Sequence, residues 1–304
     1  DGVNYEAVLR YTNACRWVVP WVLQKIALQA VDIVDIGAGT GATAAAFAHV
    51  ARSVQGYEIE PKSVSAGNER FVIMGIKNAA IKLTTPVDLL TTAIADHKDG
   101  AQVVMLFAVL EHLTQTERQI YLSTIWNELL RPGGYLIVVD TPNRLAMFDA
   151  HTSQLPFFHL LPEELALRYV DRSQRFEFVD GMRKMPEERA VEALHRWGLG
   201  VSYHDFEIGF GRSLDGIIAA GGFEWEMTNW FPPNIDDEIM VKYFLEKNVS
   251  ADLGFARFVL NMIFRKPARE GEVVYPNVPV DHLNVLVNHF GLDPRLVGAI
   301  RNAE

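Results

Sequence analysis

Three glycines at alternate positions follow a short apolar run early in the chain, in VDIVDIGAGTGATAAAF (residues 31–47). They are Gly37, Gly39 and Gly41, and the acid Asp35 lies two residues before the first of them. Glycine adopts positive φ angles and lets the backbone approach a ligand closely. A loop of this kind at the carboxyl end of a buried strand is typical of a small-molecule binding site.

Two kinds of ligand fit this glycine loop better than a tight turn without a ligand. A dinucleotide is one, because the pattern G-x-G-x-x-A begins at Gly37 and Glu58 lies near the usual place of a ribose-binding acid. A nucleoside with an ammonium group and no phosphate is the other. Asp35 favours the nucleoside, because a carboxylate at the end of the strand would repel a pyrophosphate.

The segments that must position this loop alternate between Val- and Ile-rich strands and helices from residue 31 to residue 142. This alternation predicts a parallel sheet with helices on both faces. We predict strands at 31–36, 53–59, 79–84, 101–108 and 134–142, and helices at 4–28 (kinked at Pro20), 40–51, 62–75, 87–97 and 115–130.

Later segments complete this sheet. Residues 213–230 predict a helix, a glycine stop and a strand, and residues 255–267 predict a last strand. The expected fold is therefore a Rossmann-like, seven-stranded, mostly parallel sheet with an antiparallel end strand. We expect the following organisation: an N-terminal helical segment (1–30), a cofactor-binding α/β core (31–142), an inserted substrate cap (143–211), the end of the core sheet (212–267) with a second insertion (231–254), and a C-terminal extension (268–304).

Composition narrows the class of protein. The 304 residues are 49% hydrophobic and 22% charged, as in ordinary globular proteins. The net charge of −10 and the lack of a Lys/Arg run disfavour nucleic acid as a partner. One cysteine excludes a disulfide framework and suggests a reducing cytoplasm. The sequence has no apolar run near the roughly 20 residues of a membrane span, and its start does not resemble a signal peptide.

Four motifs, in order, resemble those of class I S-adenosylmethionine-dependent methyltransferases. VDIVDIGAGTG resembles the first, and GYEIEP resembles the acid that ends the second strand of these enzymes. VLEHL (109–113) and LRPGGYLIVV are similar to later motifs of the family, especially in ubiquinone-biosynthesis-type methyltransferases. AAGGFEWEM and the last strand are similar to the antiparallel end of the family's sheet. The ordered set is far more specific than any one motif.

The resemblance implies S-adenosyl-L-methionine as cofactor and S-adenosyl-L-homocysteine as product. Asp35 would then favour the ammonium end, Glu58 would accept both ribose hydroxyls, and the backbone carbonyl of Phe107 would meet the ammonium group. An Arg-Tyr pair binds the cofactor carboxylate in some relatives. The positions that the resemblance places at the cofactor are Arg10, Tyr11, Asp35, Gly37, Ala38, Gly39, Gly41, Glu58, Ile59, Pro86, Phe107, Ala108 and His112.

The third strand departs from the family pattern. The family often has an acid there for the adenine amino group, whereas this chain has Thr85 followed by Pro86. Proline has no N–H to offer to adenine. Asp88 is the alternative contact if the loop is shifted.

The cap supplies the candidates for catalysis. Methyl transfer is an in-line displacement, so the protein must position the acceptor and, for a hydroxyl, remove its proton, usually with histidine. His151 and His159 lie in 149–165 directly after the fifth strand, and His204 lies beside Asp205 in 200–211. We expect His151 to be the base, because it is nearest to the fifth strand, and His112 to support the cofactor site.

The expected function is O-methylation of a small molecule or a sugar hydroxyl. N-methylation of a small-molecule amine is the alternative; an NAD-dependent oxidoreductase and a non-catalytic cofactor-binding subunit are remote alternatives. We expect no metal, because Asp140 and Asn143 follow the fifth strand but residues 106–108 offer no oxygen ligand after the fourth. The C-terminal extension could support an oligomer.

Overall fold

The computed structural model describes residues 2–269. Seven strands form one sheet in the order β3-β2-β1-β4-β5-β7-β6, in which β1 to β5 are parallel and β7 is antiparallel to β5 and β6. The predicted Rossmann-like sheet with an antiparallel end is confirmed. The strands are β1 (Asp32–Ile36), β2 (Ser53–Glu58), β3 (Ala79–Leu83), β4 (Ala101–Phe107), β5 (Leu130–Pro142), β6 (Ile218–Ala220) and β7 (Val259–Arg265).

Helices cover both faces of the sheet. Wide π-type turns extend the first helix over Ala14–Val18 and the sixth over Ile125–Leu129. The helices are α1 (Gly2–Asn13), α2 (Val19–Leu23), α3 (Ala42–Ala48), α4 (Pro61–Ile73), α5 (Leu89–Asp96), α6 (Gln115–Thr124), α7 (Glu163–Tyr169), α8 (Phe176–Arg183), α9 (Ala190–Gly198), α10 (Tyr203–Phe210), α11 (Trp225–Trp230) and α12 (Ile235–Lys247).

The strands alternate between two hydrophobic clusters, as period-two side chains require. Val34 of β1 belongs to the cluster that includes residues of α5, α6, α10 and α12. Its neighbour Ile33 belongs to the cluster that includes residues of α2 and α3. Asp35 has the same parity as Ile33 and is equally buried. The predicted segment 143–211 carries α7 to α10, and a third cluster around Phe158 and Phe178 packs α7, α8 and α9 together.

The prediction for residues 213–230 is wrong in its order of elements. The strand is Ile218–Ala220 and the helix is Trp225–Trp230, whereas the helix was expected first. Gly222 has φ +80° and makes the turn between them. The carboxylate of Glu224 accepts hydrogen bonds from the backbone N–H of Gly222 at 3.0 Å and from the indole of Trp21 at 2.9 Å. The contact with Trp21 is with a distant part of the chain, and it favours a helix over the strand that the local pattern allows.

Two other local expectations need correction. Residues 203–210 form α10, a helix that is not among those predicted from the sequence; Ser202 and Asp205 make a capping box that starts this helix. The first long helix was expected to reach residue 28 but ends at Leu23. The predicted extension beyond residue 269 lies outside the described residues. Between residues 2 and 269, no helix has both the length and the apolar character that a membrane span requires.

Candidate functional site

The glycine loop joins β1 to α3 at the carboxyl edge of the sheet. Gly37, Gly39 and Gly41 have φ angles of +73°, +52° and +69°. A Cβ at Gly37 would lie 2.8 Å from a methyl group of Val109, whereas a Cβ at Gly39 would meet no heavy atom within 4 Å among the described residues. The loop is therefore packed against the protein at one glycine and open in front of the next, as backbone that approaches a ligand must be.

Glu58 is fixed in front of this loop by backbone donors. Its Oε2 accepts a hydrogen bond from the N–H of Gly39 at 2.7 Å, and its Oε1 accepts from the N–H groups of Ile59 at 2.7 Å and Glu60 at 3.0 Å. A carboxylate offers about four lone-pair sites, so capacity for further donors remains. The side chain is thus oriented before any ligand binds.

Asp35 is a buried acid that lacks a donor. Its residue is 1% exposed, and neither carboxylate oxygen has a hydrogen-bond partner within residues 2–269. Burial and the nearby Glu58 raise the pKa of Asp35 to about 8, against the opposing charge of Arg10. A buried polar group without a partner is costly, and its presence calls for an explanation such as a missing ligand.

The N-terminal helix brings Arg10 to the same edge of the sheet. Its guanidinium lies over the ring of Phe107, 5.2 Å from the centroid, and its charge acts to lower the pKa of Asp35, Glu111 and Asp140. Tyr11 instead points to α3, where its hydroxyl lies 3.0 Å from Nε2 of His49. Arg10 is therefore the member of the predicted Arg-Tyr pair that lies near the buried acids.

The loop after β3 offers few groups to a ligand. Pro86 is exposed within a turn in which the hydroxyl of Thr85 donates to the carboxylate of Asp88 at 2.7 Å. The N–H of Asp88 donates back to the hydroxyl of Thr85 at 3.1 Å. Asp88 is thus engaged locally, and the adenine contacts stay a prediction.

The ends of β4 and β5 carry two non-glycine residues in the left-handed region, Ala108 (φ +52°) and Asp140 (φ +56°). Such conformations are strained and concentrate at functional sites. The register between β5 and β7 shifts between Val138 and Thr141, so Asp140 lies in a bulge, where its N–H donates to Oδ1 of Asn261 at 3.0 Å. Burial raises the pKa of Asp140 to about 6.

Asp140 opens onto a cavity of about 180 Å³ between the sheet and the cap. His151 lines this cavity too, together with the aromatic rings of Phe148, Phe231 and Phe258. The cavity combines an apolar wall with two titratable groups, which is the composition expected of a small-molecule pocket. The alternation of β5 gives no signal for the bulge that orients Asp140, so the sequence points to this residue only as a possible metal ligand.

The structure places the three histidines proposed for catalysis in different surroundings. His151 lines the cavity, with Nδ1 3.0 Å from Oγ1 of Thr152, and burial followed by the nearby His112 lowers its pKa to about 4. His159 also borders the cavity but is buried and engaged at both nitrogens, 2.8 Å from Asp149 and 2.8 Å from the N–H of Gly200. A ring held in this way suits a structural role.

His204 lies elsewhere. It is exposed on α10, stacks on Tyr203 with ring centroids 3.8 Å apart, and lines a separate surface pocket with Arg144. Asp205 does not orient it, because that carboxylate binds the buried Arg118 and caps α10. The structure therefore brings His151 and Asp140 together at one cavity and leaves His204 outside it.

Glu111 and His112, from the turn after β4, lie next to His151. Burial raises the pKa of Glu111 to about 8, and its Oε1 has no hydrogen-bond partner in the described part of the chain. Nε2 of His112 lies 3.8 Å from that oxygen, and its ring centroid is 5.6 Å from that of His151. One ligand atom from each of the three side chains lies within 4.8 Å of the others. The sequence gives no signal for this cluster, because His151 joins the adjacent Glu111 and His112 only through tertiary packing.

Comparisons with known proteins fit this geometry. Residues 34–138 match the family model of the methyltransferase domain. No curated protein matches the chain significantly. PKMT2 from Rickettsia typhi, in complex with AdoHcy, is 15% identical over 90% of this chain, with a TM-score of 0.50, and a second structure of PKMT2 is 17% identical over the same share. Phosphoethanolamine N-methyltransferase 1 from Haemonchus contortus is 20% identical over 47% of this chain, with a TM-score of 0.37.

The chain spans only part of these proteins, 55% and 56% of the two PKMT2 structures and 28% of the Haemonchus contortus enzyme. The likeness to PKMT2 supports the fold of the sheet, and the ubiquinone-type resemblance stays a prediction. Residues 34–138 include the glycine loop, Asp35, Glu58 and the turn after β4. The family match over residues 34–138, on this fold and with these residues in place, supports a class I S-adenosylmethionine-dependent methyltransferase domain.

Proposed function

We propose that this protein transfers the methyl group of S-adenosylmethionine to a hydroxyl of a small molecule or glycan bound in the cavity at Asp140. The observation that carries the cofactor assignment is the buried carboxylate of Asp35, which has no hydrogen-bond partner among residues 2–269 and lies behind an open glycine loop. A cationic ligand with N–H donors relieves such a carboxylate, and a pyrophosphate does not.

Different residues near the glycine loop bind different parts of the cofactor. Asp35 favours the ammonium group, Glu58 accepts from the ribose hydroxyls, and Arg10 is the cation available for the carboxylate. When bound, the cofactor supplies an electrophilic methyl group on a sulfonium that leaves as a thioether. The protein's remaining task is to hold the acceptor in line and to take its proton.

We assign the removal of the acceptor's proton to Asp140. It lines the cavity, lies in a strained conformation that fixes its direction, and has a pKa near enough to neutral pH to be deprotonated and still basic. His151, the base expected from the sequence, lines the same cavity and is neutral at pH 7, but with a pKa of about 4 it is the weaker base.

N-methylation is the second candidate, and the cavity itself supports it. Three aromatic rings, of Phe148, Phe231 and Phe258, lie in the same wall as the carboxylate of Asp140. Aromatic faces and a carboxylate together attract an ammonium group. An amine would bind there as a cation and would lose its proton to Asp140 before methyl transfer.

The test begins with binding and proceeds to turnover. Calorimetry should detect binding of S-adenosylhomocysteine to the protein and no binding of NAD; the reverse result would refute the proposal. Formation of S-adenosylhomocysteine across a library of hydroxyl and amine acceptors then identifies the acceptor class. Asp140→Asn should lower kcat about 100-fold or more, the usual effect of a lost general base, while leaving affinity for S-adenosylhomocysteine unchanged.

The pH profile separates the two candidate bases. A base acts only when deprotonated, so at saturating cofactor the rate of the wild-type enzyme should be constant above about pH 7 and fall as the pH drops through about 6. If the rate instead holds down to about pH 4 and His151→Gln abolishes it, the base is His151.

A further inference from the structure

We propose that Glu111, His112 and His151 bind a divalent transition-metal ion at the junction of the core and the cap. Two imidazoles and one carboxylate favour an ion such as Zn²⁺, Co²⁺ or Ni²⁺ over Mg²⁺, which prefers oxygen ligands. This differs from the expectation from the sequence, which considered only oxygen ligands after the fourth and fifth strands.

The geometry is close to that of a three-ligand site. One ligand atom from each side chain lies within 4.8 Å of the other two, and Oε1 of Glu111 and Nε2 of His112 are 3.8 Å apart. Tetrahedral ligands at about 2.1 Å from an ion are roughly 3.4 Å from each other. The three side chains therefore need to close by about 1 Å or less on average, which small rotations can supply.

The carboxylate of Glu111 is buried, and one of its oxygens has no hydrogen-bond partner in the part of the chain that the structure describes. The residue is fully buried, and its Oε1 accepts no hydrogen bond from any residue that the structure describes. Its other oxygen is 3.5 Å from the hydroxyl of Thr141, and its backbone carbonyl accepts from the N–H of Leu199 at 2.9 Å. The side chain is therefore held in place with one oxygen free toward the two histidines, where a cation would satisfy it.

Backbone carbonyls at the end of α9 orient the two rings. Nδ1 of His112 lies 2.9 Å from the carbonyl oxygen of Arg196, so it must carry the proton and leave Nε2 as a lone pair. Nδ1 of His151 lies 3.0 Å from the hydroxyl of Thr152, which also contacts the carbonyl oxygen of Trp197 at 3.1 Å.

The hydroxyl of Thr152 has one proton, and the nearby carbonyl oxygens can only accept it. The hydroxyl therefore accepts from Nδ1 of His151, and this second ring also keeps Nε2 as its lone pair. Metal-binding histidines are usually fixed in this way, with the second nitrogen donating to a carbonyl, a carboxylate or water.

Charges of both signs act on the cluster. The carbonyls of Arg196, Trp197 and Gly198 are the carboxyl end of α9, the negative end of its dipole. Asp140 adds a negative charge close enough to raise the pKa of Glu111. Arginine side chains act in the opposite sense. Arg10 lowers the pKa of Glu111 and His112, and Arg196 also lowers that of His112. Arg175 lowers the pKa of His151, so these positive charges moderate the affinity for a metal ion.

Gly198 packs the end of α9 against both rings. It has φ +109°, and a Cβ there would lie 2.6 Å from Cε1 of His151 and 3.4 Å from Cε1 of His112. A side chain at this position would displace the ring of His151. Gly198→Ala therefore perturbs the proposed site while keeping every ligand.

The experiment uses the untagged full chain after removal of metal with a chelator. Titration with Co²⁺ should show one equivalent bound with visible d–d absorption, and Zn²⁺ should displace it. His112→Gln, His151→Gln and Glu111→Gln should each lower the affinity at least 10-fold to 100-fold, and Gly198→Ala should lower it as well. His204→Gln, a change at an exposed histidine outside the cluster, should leave it unchanged.

The proposal is overturned if the wild-type chain binds less than one Co²⁺, or if His204→Gln weakens binding as much as His112→Gln does. Should a ligand variant fail to fold, X-ray absorption of the Zn²⁺-loaded wild type decides the matter. Two imidazoles in the coordination sphere support the site, and none or one overturns it. Calorimetry with S-adenosylhomocysteine is independent of these outcomes, so failure of the metal site leaves the proposed methyl transfer standing.

Discussion

Replacing Asp35 by Asn should weaken cofactor binding and leave the free protein as stable as before. Burial raises the pKa of Asp35 to about 8, so about nine tenths of the free protein carries it protonated at pH 7. Asparagine is neutral and has nearly the same shape as a protonated Asp. We therefore expect the free energy of unfolding at pH 7 to change by less than about 1 kcal/mol.

The cofactor complex should respond in a different way. Its ammonium group favours the ionised carboxylate, so binding at pH 7 must first remove a proton, at about 1.4 kcal/mol for the one pKa unit that separates pH 7 from pH 8. The charged contact then contributes about 1.5–3 kcal/mol, which the Asn variant lacks. The net loss of affinity for S-adenosylhomocysteine in Asp35→Asn should be about 10-fold or less at pH 7 and larger at pH 8.

The proton on Asp35 also determines how the affinity for the cofactor depends on pH. The ligand binds the deprotonated form, so the affinity of the wild type should rise with pH, by up to tenfold per unit, and level off above pH 8. Calorimetry at pH 6, 7 and 8, in buffers with different ionisation enthalpies, measures both the affinity and the proton release, which should be nearly one proton at pH 6 and 7 and about half a proton at pH 8. Asp171→Asn, at an exposed acid of the cap, is the control.

Two results would refute this reasoning. One is a variant Asp35→Asn that binds S-adenosylhomocysteine with the same affinity, pH slope and proton release as the wild type. The other is a variant whose free form loses several kcal/mol of stability, because Asp35 would then be a structural acid.

Three further predictions concern stability. Arg257 and Asp237 form a fully buried ion pair at 2.5 Å, so Arg257→Met alone should cost about 3–5 kcal/mol by urea denaturation, and adding Asp237→Leu should restore part of it; additive losses would argue against the pair. His159→Ala should lower Tm by breaking its pair with Asp149, with affinity for S-adenosylhomocysteine retained; lost turnover at unchanged Tm would make His159 catalytic instead. Gly41→Ala should cost about 1–3 kcal/mol, because φ is +69° and a Cβ would lie 2.9 Å from Ile81; a neutral effect in a thermal melt would contradict this.

The parallel half of the fold could be predicted from the sequence because its signals are local. The strands of the core are short Val- and Ile-rich runs, and each predicted one overlaps the observed strand, as 31–36 overlaps Asp32–Ile36. The order of elements at 213–230 could not be predicted. There, Glu224 accepts a hydrogen bond from the indole of Trp21, and no local pattern reports a contact across 203 residues.

In the candidate site, too, the residues linked by local sequence could be predicted, and those that depend on tertiary contacts could not. Asp35, Gly39 and Glu58 follow one another within a single strand–helix–strand unit. Their order in the sequence is therefore enough to suggest that they share a ligand. Asp140 depends on a bulge that β7 supports through Asn261, and this is a tertiary feature. The proximity of Glu111 to His151 likewise depends on the end of α9, which lies far away in the sequence.

The buried acids at this edge of the sheet suggest how substrate and product are distinguished. Asp35, Glu111 and Asp140 all have raised pKa values, and the charge of Arg10 acts on all three. Each ionises more readily when a cation arrives, because a nearby positive charge stabilises the carboxylate. S-adenosylmethionine carries a sulfonium charge that S-adenosylhomocysteine lacks. A site with an excess of buried carboxyl groups should therefore hold the methyl donor more tightly than the demethylated product, and loss of the sulfonium charge during transfer itself favours release of that product.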